Sequence, residues 1–160
     1  MKMTKEVRRE RPLHHVVHDF SELQSAYREI VLSHRPSLNR HCFYSFIAHY
    51  RKFANFFSNA GSRTEREKRR QRGEMHASTF TAKGMRYDLR EWRKWDHHMN
   101  THFFHLNMAR TKNTREWYGH EEVPRMMAEM ETAWTHFAAN LREPWLTEYK
   151  DEMSLRVSAG

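Results

Sequence analysis

A chain of 160 residues fits one domain and is long enough to bury a core. Ten Phe, ten Met and five Trp supply the large side chains that disordered chains lack, so disorder of the whole chain is excluded. The formal net charge of +8 suits an anionic partner such as RNA, and the lone Cys42 excludes an intramolecular disulfide or a cysteine-rich zinc site.

The first residues, MKMTKEVRRERPLHH, are charged and hold no apolar stretch, unlike a signal peptide. No run approaches the ~20 apolar residues of a membrane span, so a cytoplasmic location with no membrane partner is expected. Only five Gly and four Pro occur, and no segment alternates apolar and polar residues as a strand does. The expectation is a single domain over residues 1–160, all-α, folded as an antiparallel four- to five-helix bundle. Residues 1–15 and 153–160 are expected to fray.

In chain order, the first helix is predicted from Val16 to Ser33, with Phe20, Leu23, Tyr27, Ile30 and Val31 at helical spacing. Pro36 closes it and opens a second helix that ends before Gly61. The stripe of that helix is Leu38, Cys42, Phe43, Phe46, Ile47, Tyr50, Phe53 and Phe57, wide enough to face a core. Residues 61–84 interrupt the pattern as a basic connecting segment. Arg63, Arg66, Lys68, Arg69, Arg70 and Arg72 are the candidate nucleic-acid contacts, since clustered cations displace counterions from a phosphate backbone. The alternative for this run is a solvated interhelical connection. EMHASTFTAKG then reads as a loop that places Phe80 on the core.

A third helix is predicted over Arg86–Lys112, with Trp92, Trp95, Met99, Phe103 and Leu106 along one side. It carries the stretch WDHHMNTHFFHLNMAR, in which His98, His102 and His105 share a face of an α-helix. That row is a candidate ligand set for a divalent transition metal such as zinc, with His49, His18, His34 or His136 as a fourth donor. Neither HExxH nor the paired Glu-x-x-His of di-iron bundles occurs, so the main expectation is no cofactor. A third alternative leaves the histidines as internal hydrogen-bonding groups at intermediate depth. A fourth helix is predicted from His120 to Arg142, with Val123, Met126, Met127, Met130, Trp134, Phe137 and Leu141 as its stripe. Pro144 ends it, and Trp145, Leu146 and Tyr149 suggest a short final helix.

The blocks HCFYSFIAHYRKFANFF, EMHASTF and HHMNTHFFHLNMAR resemble a family of small bacterial helical proteins over residues 38–141. That family is in turn similar to HEPN domains, helical bundles of which many are ribonucleases. The resemblance implies a HEPN-like bundle and a homodimer paired about a two-fold axis. The HEPN signature is an arginine, a polar residue, four to six further residues and a histidine. Asn100 and His105 match the last parts of it, whereas Met99 stands where the arginine would be. The resemblance therefore implies a degenerate ribonuclease motif and a binding or regulatory role linked to RNA. In a cleaving version His105 would transfer the proton, Asn100 would orient it or the phosphate, and Arg51 or Arg110 would carry the positive charge.

Overall fold

The computed structural model describes residues 12–32, 36–58, 67–68, 71, 73–82, 85–98 and 122–158. They form five α-helices: α1 (Pro12–Leu32), α2 (Pro36–Phe57), α3 (Arg90–His98), α4 (Glu122–Ala139) and α5 (Trp145–Ser158). A 3-10 turn, Ala77–Thr79, lies between α2 and α3. Among the described residues there is no strand, only an isolated antiparallel bridge between Thr81 and Leu141. The expected all-α bundle is what the chain forms, and no described helix is long and apolar enough to cross a membrane.

Helix α1 begins at Pro12, where a fixed φ and a missing N–H cost nothing in a first turn. Leu13, Val16, Val17, Phe20, Leu23, Ala26 and Ile30 recur every three or four residues and are buried. The start corrects the expected one at Val16: residues 12–15 are helical because Leu13 is the first member of the same buried stripe.

The helices alternate in direction. Phe20 meets Phe53 edge to face at 5.3 Å and Tyr27 meets Phe46 at 6.2 Å, so α2 runs back along α1. Tyr87 lies on Phe57 and Trp92 on Tyr50, so the chain returns upward through α3. Tyr50 reaches Glu129 and Phe56 reaches Phe137, which sets α4 parallel to α2. Finally His14 pairs with Glu152 and Ser21 with Arg156, so α5 runs in the sense of α1.

The core is aromatic. Trp134 of α4 stacks flat on Phe20 of α1 at 4.1 Å, while Phe53, Phe56, Phe57 and Phe137 meet edge to face around them. Each such side chain contributes about 1.5–3 kcal/mol by burial, and the ring pairs add about 0.5–1.5 kcal/mol. Phe80 drops from the 3-10 turn into this cluster against Phe56, Phe137 and Trp145, as its loop predicts. The turn is fastened twice. The backbone N–H of Arg142 donates to the Phe80 carbonyl at 3.1 Å, and its guanidinium donates to the Thr79 carbonyl at 3.0 Å. Helix α5 continues to Ser158, which corrects the expected fraying from 153. Glu152 and Arg156 tie its last turns to α1.

Candidate functional site

Helix α3 is the element on which the sequence places its chemistry. It starts at Arg90, later than the predicted Arg86, and residues 85–89 are non-helical. The residue before its first turn is Leu89, which has no side-chain oxygen to accept the orphan amides of a helix start. Glu129 of α4 does this instead. Its Oε2 accepts the Glu91 N–H at 2.7 Å and its Oε1 accepts the Trp92 N–H at 3.1 Å. The same Oε1 accepts the Tyr50 hydroxyl at 2.8 Å. The carboxylate's charge also lies at the positive end of α3, where it interacts favourably with the helix dipole. Burial pushes the Tyr50 phenol well above its ordinary range, and the Glu129 charge and hydrogen bond push it further. Tyr50 is thus a fixed donor, and Glu129 the clamp that joins α2, α3 and α4.

The inner side of α3 carries buried Trp92 and half-buried Trp95, whose indole donates to Glu91 at 3.3 Å. On the outer side Arg90, Arg93, Lys94 and His97 fall within an arc of about 100° and are all exposed. Asp88 sits at the head of this face. Its two oxygens take Arg90 Nε at 2.6 Å and Arg93 at 2.9 Å, so both guanidiniums converge on one carboxylate. The Lys94 ammonium lies 4.8 Å over the Trp95 ring.

Of the sequence-predicted site, Asn100, His102, His105 and Arg110 lie outside the described residues, as does the side chain of His98. Arg51 is half-buried on α2, one position after Tyr50, and is engaged with other groups. Lys68 is exposed, whereas Arg63, Arg66, Arg69, Arg70 and Arg72 lie outside the described residues. His76 Nε2 donates to the Ser58 carbonyl at 2.7 Å, while its Nδ1 accepts the Ser78 N–H at 3.2 Å. The end of α2 and the start of the 3-10 turn are therefore joined at one point.

Among the described residues no group of three His, Cys, Asp or Glu is arranged to hold a metal ion. His49, one of the candidate fourth donors, faces α1 with its Nδ1 buried and without a hydrogen-bond partner among the described residues. Burial pushes its pKa down; Lys52 and His18 add to that, and Asp19 and Glu22 oppose it. Lys52 is itself bonded to Asp19. His136 is exposed, with its ring 5.5 Å from that of Tyr87.

Sequence reasoning missed Glu129, and it also missed Glu152, which is 8% exposed. His14 Nδ1 donates to Glu152 at 2.8 Å and Arg156 Nε at 3.1 Å; Arg156 also donates to Ser21 Oγ at 2.5 Å. The His14 hydrogen bond, followed by that of Arg156, holds the Glu152 carboxyl below its usual range although burial acts the other way. A signal for Glu129 exists: it falls beside Met126 and Met130 on the apolar stripe of α4, where a carboxylate needs donors.

The charge is unevenly spread along the sequence: residues 63–72 hold six Lys and Arg against two Glu, a net +4 of the chain's +8. Compared with known protein families, with characterised proteins and with solved structures, the chain shows no significant match.

Proposed function

We propose that the protein is a HEPN-like helical-bundle protein with a binding or regulatory role, taking RNA as its anionic partner through Arg63, Arg66, Lys68, Arg69, Arg70 and Arg72. The reading rests on the clustering of charge: residues 63–72 carry six Lys and Arg against two Glu, a net +4 of the chain's +8. A cation cluster of this kind binds phosphates without reading sequence, and its affinity falls steeply with salt. The Ser58–His76 hydrogen bond supports the reading, since it brings together residues on either side of the cations in sequence. Met99 in place of an arginine favours binding over cleavage. By resemblance the acting form is a homodimer, and the setting is cytoplasmic.

The test is equilibrium binding of a labelled single-stranded RNA across a salt series. Replacing the six cations of 63–72 by Gln lowers the steepness of log K against log salt by as much as about 4, at ~0.7 per single-strand phosphate contact. Unchanged affinity and slope would refute the proposal. With EDTA present, wild type and His105→Ala leave the RNA uncut alike. Cleavage that disappears with His105 would replace the binding role with a nuclease.

A further inference from the structure

We infer that the outer face of α3 is a second phosphate-binding surface, with Asp88 occupying the position that a backbone phosphate takes when a nucleic-acid strand binds. This rests on the proposed RNA-binding role and adds a site to it. Arg90, Arg93, Lys94 and His97 line one exposed face about 10 Å long, the axial length of about three stacked nucleotides. Two arginines converging on one anionic group make the arrangement that phosphate recognition uses. Here that anion is the Asp88 carboxylate. The Asp88 pairs are exposed and weak, so a phosphate can displace them.

The position of the face fits a strand that also touches the basic stretch. Tyr87, three residues before Arg90, packs on Phe57 with ring centroids 4.7 Å apart. Phe57 adjoins Ser58, whose carbonyl accepts from His76 beyond the cations in sequence. The head of α3 therefore packs beside residues that flank the basic stretch in the chain. The ligand chemistry is a phosphodiester backbone, which RNA and DNA share.

The experiment uses the full chain and two labelled single strands of equal length and sequence, one RNA and one DNA, over a salt series. Arg90→Gln with Arg93→Gln lowers affinity about tenfold or more and reduces the salt slope by about 1.4. Asp88→Asn raises affinity about two- to fivefold, because the internal competitor is gone. Lys150→Gln, an exposed cation on α5, changes neither. Circular dichroism confirms that the variants fold. Equal response with both strands assigns the contact to phosphate, and a larger response with RNA adds the 2′-hydroxyl. If the 63–72 variant loses binding while the arginine pair and Asp88→Asn behave as wild type, this inference is wrong and the RNA-binding role stands. If wild type binds neither strand, both fail.

Discussion

Two carboxylates hold this bundle together, and they do so with different partners. Glu129 takes a phenol and two backbone amides, none of which changes charge near neutral pH. Glu152 takes an imidazole and a guanidinium, so its clamp between α1 and α5 is made wholly of side chains. The first anchors the helix that carries the candidate chemistry; the second anchors the last helix of the chain. A carboxylate bonded to backbone amides fixes where a helix starts, whereas one bonded to side chains fixes only that two helices stay close.

The sharpest way to break this contrast is Glu129→Ala. It leaves the Tyr50 hydroxyl and two α3 amides without an acceptor, and a cost of about 3 kcal/mol is expected in a denaturant melt. For a chain this size that is a fall of about 6–12 °C in Tm. Tyr50→Phe removes one of the three bonds and costs about 1.5 kcal/mol. In the double variant the two losses combine to less than their sum; simple additivity would show that the hydroxyl and the carboxylate do not act as a unit.

Glu152→Gln is a smaller change, about 1 kcal/mol, because its partners are part-exposed. The acid limb of the stability curve carries more information. The folded Glu152 carboxyl titrates below its usual value of 4.5, so its contribution is complete above that pH and is lost as pH falls through the lower folded value. Glu152→Gln flattens that limb, whereas a limb unchanged by the substitution would remove the pairing from the account.

The smallest effect belongs to His49. Burial lowers its folded pKa, so the unfolded chain takes up a proton first on acidification. The stability it supports is complete above its usual pKa of 6.5 and declines below it. His49→Gln removes the part of the slope just below pH 6.5 with a change of under about 1 kcal/mol. A steeper slope in the variant would contradict the direction of the shift.

The packing of the helices was legible because their apolar residues keep helical spacing. The stripe of α4 from Val123 to Phe137 and the Phe80 loop can both be read from sequence, because burial follows from residue type and period. Two helix starts were misplaced for separate reasons. Pro12 and Leu13 lie in a histidine-rich stretch whose apolar content is thin, so the stripe was joined late. The head of α3 is set by Glu129, 40 residues after Leu89 in the chain, and no local pattern contains that partner. The same holds for Glu152 and His14, a pair 138 residues apart. Polar contacts between distant elements leave no periodicity behind them. Arg90, Arg93, Lys94 and His97 keep helical spacing on the outer face of α3, but charged residues at that spacing are equally the pattern of a solvated helix face.

One hydrogen bond near the middle of the chain has a practical consequence. The His76 side chain caps the 3-10 turn and also bonds the Ser58 carbonyl just past α2, so one imidazole sets two element ends. His76 is thus the position at which one substitution uncouples the turn that seats Phe80 from the end of α2.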